Sequence, residues 1–346
     1  MLRLNMLRLS GRTLALASFL AVMLMLIPST AAAQYQLTNL VSNQAGAAKH
    51  TDPLLVNAWG LAYGPGGPFW ISDNGSGWST LYDGSGIKQG LEVLVPTAGG
   101  EGPGTPTGIV FNGSTEFQVQ GWTAFFLFAT LDGTISGWAP QANPNAAIVA
   151  VTTPGAVYTG LAISSNPSGN FLFAADNANN KVDIFDGNFK LVKSFTDPTV
   201  PAGFAPFGIQ DFGGLLYVSF ASSSGASGGY IDIYSEGGLF LKRLAQGAPL
   251  NQPWGFAIAP KNFGPLSNTL LISNNTNSGT INSFNSVTGQ FVGTLTDTND
   301  KAIRIDQLWG IEFGGGTSKD GATNHLYFTA GPDNNLAGTF GVIEPE

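Results

Sequence analysis

The sequence predicts an all-β protein, a six-bladed β-propeller of four-stranded antiparallel blades. Three observations carry the prediction. A short motif, often an aromatic residue followed by Gly and an apolar strand, recurs six times at a spacing of about one blade. Between the recurrences lie alternating segments bounded by Gly, Asn and Asp, the pattern of strands and tight turns. The composition agrees. With 47 Gly among 346 residues and 10% charged side chains the chain is poor material for helices, while 24 Phe and 43% apolar residues supply a large core.

The elements follow in chain order. Residues 1–33 read as a removable targeting segment. Arg3, Arg8 and Arg12 make a positive start, Leu14 to Ile27 an apolar run ended by Pro28, and Ala31-Ala32-Ala33 a small-residue cleavage pattern. The run is short for a spanning helix, which needs about 20 residues. The expected mature chain, 34–346, is a single propeller domain, monomeric, without a membrane span, and secreted or periplasmic. Taking the three leader arginines from the 14 basic residues leaves 11 against 22 acidic ones, a net charge of −11. Nucleic acid and anionic membranes are bound through basic contacts, so this balance speaks against both. It suits solubility and cation binding. Without Cys an exported chain has no disulfides and depends on buried area instead.

The repeats start at Trp59-Gly60-Leu61-Ala62 and continue with Thr107-Gly108-Ile109-Val110, Thr159-Gly160-Leu161-Ala162, Phe207-Gly208-Ile209-Gln210, Trp254-Gly255-Phe256-Ala257 and Trp309-Gly310-Ile311-Glu312. Their glycines are separated by 48, 52, 48, 47 and 55 residues. Each motif opens strand one of a blade. Second strands are expected at Phe69–Ser72, Phe125–Thr130, Phe171–Ala175, Leu215–Phe220, Thr269–Ser273 and Leu326–Thr329, each followed by a polar loop. Third strands are clearest at Val182–Phe185 and Ile231–Tyr234, and fourth strands at Leu191–Phe195, Leu239–Leu244 and Phe291–Leu295. The sixth repeat stops after its third strand at Ile343. Gln36–Val41, ahead of the first repeat, is the candidate for the missing fourth strand, closing the ring and hiding a sheet edge.

Pro253-Trp254-Gly255-Phe256-Ala257-Ile258, with Leu271–Asn274 and Ile281–Phe284, resembles the repeats of NHL-type six-bladed propellers. More closely, Thr51 to Ala62, Asp132 to Trp138 and Tyr327 to Pro332 make the chain similar to a family of uncharacterised exported bacterial propellers. The resemblance implies fold and export, and no established activity.

In such blades the loop leading into strand one and the loop between strands two and three share a face, around one mouth of the central channel. Two groups of residues concentrate there. The first is a ring of Asp73, Asn74, Asp132, Asp176, Asn177, Asn274, Asn275, Asp333 and Asn334, to which the leading loops add Asp52, Glu101, Asp197 and Asp306. Converging carboxylate and amide oxygens are what Ca2+ requires. Resemblance to propeller lactonases implies a metal held in this way. The same residues are also favoured in tight turns, where they bond their own backbone. The second group is Trp59, Phe207, Trp254 and Trp309, at equivalent positions before the strand-one Gly, with Thr107 and Thr159 in the other two blades. Facing the mouth, the rings offer a stacking surface for a sugar or another flat ligand. Packed inside, they are structural wedges.

Catalysis finds little in the sequence. The two histidines, His50 and His325, fall toward opposite faces. Ser222–Gly225 reads as a loop and not as a nucleophile elbow. The leading expectation is a binding module for a small molecule, glycan, peptide or protein at the channel mouth. The alternatives are a calcium-dependent hydrolase or lactonase at the same mouth, and a structural envelope or matrix protein, which would show an exposed apolar patch elsewhere.

Overall fold

The computed structural model describes residues 35–346. The predicted leader, 1–33, lies outside the described residues. Six antiparallel sheets form the blades. Blade one runs Ala58–Tyr63, Phe69–Asp73, Trp78–Tyr82, Lys88–Leu94. Blade two runs Pro106–Phe111, Phe126–Thr130, Thr134–Trp138, Ile148–Thr152, with a small hairpin, Gln118–Val119 against Trp122–Thr123, inserted after its first strand. Blades three, four and five begin at Tyr158–Asn166, Phe204–Asp211 and Pro253–Ile258. Blade six is built from Leu308–Phe313, Leu326–Ala330 and Thr339–Pro345, and its fourth strand is Tyr35–Ser42, paired antiparallel with Thr339–Pro345. The expected closure by Gln36–Val41 is therefore present, one residue longer at each end. A short strand, His50–Thr51, adds a fifth, parallel member.

The first strands carry the local feature that the repeat encodes. In all six blades the register between strands one and two slips at the residue–Gly pair, or at the residue just before the Gly in blade three. Such a bulge leaves a residue unpaired and re-aims its side chain. In blades four, five and six a hydroxyl opposite the bulge accepts the freed Gly N–H: Ser219 Oγ from Gly208 at 2.8 Å, Ser273 Oγ from Gly255 at 2.7 Å and Thr329 Oγ1 from Gly310 at 2.9 Å. Ser273 passes the bond on to the Trp309 carbonyl at 2.6 Å, stitching blade five to blade six. The Gly itself is needed for close approach. A Cβ on Gly255 would stand 2.7 Å from the Trp309 carbonyl oxygen and 2.8 Å from Ser273 Oγ.

The core is divided. One apolar slab lies between each pair of adjacent blades, for example Phe69, Ile71 and Tyr82 of blade one against Tyr327, Phe340 and Val342 of blade six. Tyr35, Leu40 and Val41 of the closing strand are buried in two of these slabs.

Candidate functional site

The bulges aim four aromatic side chains at the propeller axis. Trp59, Trp254 and Trp309 form a buried cluster with Phe207 against it. Trp59 and Trp309 stack at 3.6 Å between centroids, and Trp254 meets both edge-on at 6.2 and 5.8 Å. Trp59 and Phe207 come from blades on opposite sides of the ring, yet their centroids are 6.5 Å apart. The rings therefore fill the axis. Thr107 and Thr159 leave the room: the Trp254 indole reaches across to donate to the Thr159 carbonyl at 2.9 Å, and Trp309 donates to Asn57 Oδ1 at 3.2 Å. These four side chains pack on one another; the three tryptophans are buried, 3% exposed for Trp309 and 8% for Trp254, and Phe207 is half-buried.

The Asp and Asn side chains at this end are engaged with the backbone. Asn74, Asn177 and Asn275 each donate Nδ2 to a carbonyl at the start of the following blade: Pro106 at 3.1 Å, Pro206 at 2.9 Å and Leu308 at 3.2 Å. They latch blade one to two, three to four and five to six. Asp73 and Asp176 are fully buried; Asp73 accepts the Thr80 N–H at 3.0 Å and Asp176 the Val157 N–H at 3.1 Å. Burial pushes the Asp73 carboxyl well above the usual carboxylate range. Asn274 accepts the Asn251 N–H at 3.0 Å and donates to the Pro249 carbonyl at 2.8 Å. Asp132 is exposed and accepts from Ala98 N–H at 2.7 Å and from the Thr130 hydroxyl. Asp333 is exposed in a left-handed turn with Asn334, its N–H donating to Asp306 at 3.0 Å. Asp52 and Asp197 accept from the Tyr82 and Tyr234 hydroxyls at 2.6 and 3.0 Å. Among the described residues no group of three His, Asp or Glu side chains comes together to hold a metal ion. Among the described residues the carboxylates alone do not assemble the calcium centre that the lactonase resemblance implies, and Asn74, Asn177, Asn274 and Asn275 donate to backbone carbonyls.

The channel opens at its other end. Beyond the ring of strand-one glycines it is a slot of about 40 Å³ lined by Gly60, Gly108, Gly160, Gly255 and Gly310. It then widens to about 550 Å³ between blades one, two, three, four and six. Two polar side chains, Gln210 and Glu312, line both the slot and the wide part. They stand at the same place in the repeat, two residues after the Gly, where the other four blades have Ala62, Val110, Ala162 and Ala257. Among the described residues neither makes a side-chain hydrogen bond or ion pair. Glu312 lies deep in the protein, keeping part of its surface where it faces the channel. Burial alone pushes its carboxyl up to about 8, and a strongly shifted acid in a cleft marks a candidate site. Tyr63 is pushed up to about 12, first by its own burial, then by the negative charges of Glu312 and Asp320. Asp320, almost fully buried, builds the rim. It accepts from Gly66 N–H at 3.1 Å and from Thr317 N–H and hydroxyl at 2.7 Å each, tying blade six to blade one.

The reading of the sequence placed the site at the mouth that the tryptophans occupy and passed over Glu312 and Gln210. The signal was there: in six aligned motifs, four have Ala or Val at this position and two have a polar residue.

Comparison with known proteins gives the following. No protein-family model matches the chain. It is 30% identical over 339 residues to Uncharacterized protein R648 of Acanthamoeba polyphaga mimivirus, covering 91% of this chain and 82% of that one. It is 27% identical over 340 residues to Uncharacterized protein L690 of the same virus, covering 91% and 87%. These relatives are viral, whereas the resemblance read from the sequence pointed to bacteria. Among solved structures a gluconolactonase from Xanthomonas campestris superposes with a TM-score of 0.59 at 14% identity, covering 91% of this chain and 92% of that one. The PQQ-bound aldose sugar dehydrogenase from Streptomyces coelicolor superposes with a TM-score of 0.54 at 14% identity, covering 91% and 99%. At such identities the likeness shows the propeller fold alone.

Proposed function

We propose that this chain, which belongs to the same family as Uncharacterized protein R648 of Acanthamoeba polyphaga mimivirus, is a small-molecule binding propeller whose site is the open end of its channel. One observation carries the reading: an acid that has no partner among the described residues stands in the wall of a cavity of about 550 Å³. A concave, mostly apolar cavity with a few convergent polar groups is the usual form of a ligand site, and 300–1,000 Å³ is roughly the usual size. A buried acid without a partner costs stability, so a use for it is expected. The test is a fragment screen by ligand-observed NMR on the wild type and on Ala62→Phe, which puts a ring into the cavity. Hits lost in the variant support the site. Equal hits in both proteins refute it. The expected leader makes export to the periplasm or the medium part of the proposal.

A second reading, a structural matrix or envelope component, draws on a different surface. Leu191, Val192, Leu239, Phe240, Leu241 and Val292, on or beside the outer strands of blades three to five, are exposed. Exposed apolar side chains on three successive blades are candidates for contact with another molecule. If the belt drives assembly, light scattering should show concentration-dependent growth that Phe240→Ser with Leu241→Ser abolishes. Scattering by a monomer at all concentrations would remove this reading.

A further inference from the structure

We infer that the open end of the channel takes a small organic cation, an ammonium or quaternary ammonium compound, with its charge on Glu312 and its apolar body against Tyr63 and Phe111. The inference rests on the binding role proposed above and names the ligand class. Among the described residues the cavity wall has two charged side chains, Glu312 and Asp320, both acidic, and no Lys, Arg or His. Asp320 is already saturated by Gly66 and Thr317. Glu312 is not: among the described residues its carboxyl has no hydrogen-bond donor and no cation beside it. A buried carboxylate is tolerated when it is paired, and here the counter-charge has to arrive from outside the chain.

The chemistry of the wall selects among cations. A hard divalent ion needs about six to eight oxygens, and among the described residues the polar side chains left free on this wall are the Glu312 carboxyl, the Gln210 amide and the Tyr63 hydroxyl. That set is too sparse for calcium and sufficient for a weakly hydrated organic charge. Tyr63 and Phe111 supply aromatic surface to the same cavity, and aromatic faces attract ammonium groups. The excess of acidic residues over the rest of the chain draws cations toward the protein. A neutral polyol is the competing ligand. It would use Glu312 as a hydrogen-bond donor, in its protonated form, and so would depend on pH in the opposite sense.

That contrast supplies the test. Binding of benzyltrimethylammonium, whose charge is permanent, and of benzyl alcohol, which has none, is measured by calorimetry from pH 6 to pH 9. With the Glu312 carboxyl at about 8, the cation has to displace a proton at low pH, and its affinity should rise about 90-fold across this range. Tyr63, at about 12, stays neutral throughout. Benzyl alcohol should bind at least about tenfold more weakly at pH 9 and gain nothing with pH. Glu312→Gln should abolish the pH dependence and most of the preference for the cation, leaving only the part that the Tyr63 and Phe111 rings supply. Should that variant fail to fold, the pH slope of the wild type decides by itself. Equal binding of both probes, independent of pH and lost in Ala62→Phe, would overturn the cation and leave the binding site standing. No binding of the cation at any pH overturns the inference, and the binding role then stands or falls on the fragment comparison.

Discussion

Replacing Glu312 by Gln should make the protein more stable at alkaline pH and leave it unchanged in acid. The carboxyl ordinarily titrates near 4.5 and in the fold at about 8, raised by burial. Below 4.5 both folded and unfolded chains hold the proton. Between 4.5 and about 8 only the folded chain holds it, so the wild type loses stability as the pH rises through this window and the loss is complete above about 8. Each pH unit of the gap is worth about 1.4 kcal/mol, which sets a ceiling of about 5 kcal/mol over 3.5 units. The carboxyl keeps part of its surface toward the channel, and solvent there screens the penalty, so about 2 to 3 kcal/mol is the expected loss. Gln has no proton to lose. Chemical denaturation of the two proteins should give coincident midpoints at pH 4.5 and a difference growing to this size by pH 9. Other shifted acids, such as Asp232 at about 6, titrate in both proteins and cancel. Parallel curves across the whole range would refute the isolation of Glu312.

Four further outcomes are expected. Gly255→Val should destabilise by about 3 kcal/mol or more, because its Cβ would press on the Trp309 carbonyl and Ser273 Oγ; a normal melting temperature would contradict the close approach of blades five and six. Deleting residues 34–43 removes three buried apolar side chains, Tyr35, Leu40 and Val41, at about 1.5–3 kcal/mol each. That sum rivals the whole stability of a domain, so the deletion should abolish cooperative melting. Asp176→Ala should cost about 1–3 kcal/mol through the lost acceptor for Val157 and Asn179, equally in calcium and in chelator; a loss confined to calcium would restore the metal reading. Amino-terminal sequencing of the exported product should begin at Gln34, and an intact leader would refute export by cleavage.

The blades were legible because one local requirement is repeated. A bulged first strand whose neighbour packs against its backbone has to carry Gly at that point, and six such positions, about one blade apart, betray the ring without any knowledge of contacts. The closing strand was legible for a related reason: a sixth repeat that ends at its third strand needs a partner, and Gln36–Val41 lies ahead of the first repeat, outside the six motifs. The site was less legible. The acceptors of Asn74, Asn177 and Asn275 are carbonyls of Pro106, Pro206 and Leu308, about thirty residues on and in another blade. Nothing in the Asn-containing turns distinguishes a latch from a metal ligand. Nor does a motif at the start of a strand disclose that four rings from four blades meet on one axis.

The two ends of the channel differ because two positions of the same motif are filled differently. Before the Gly, four blades carry a large ring and two carry Thr, and the rings lean into the space that the Thr residues leave, as Trp254 does toward Thr159. Two residues after the Gly, four blades carry Ala or Val and two carry Gln210 and Glu312, so little fills the axis there and a cavity of about 550 Å³ remains. Packing can account for the rings, which bury large apolar area. It cannot account for Glu312, since Ala at the equivalent place in three other blades supports the same strand without a desolvation cost. A residue that the repeat does not need, that the fold pays to keep and that no described neighbour satisfies is the observation on which the proposed ligand site rests.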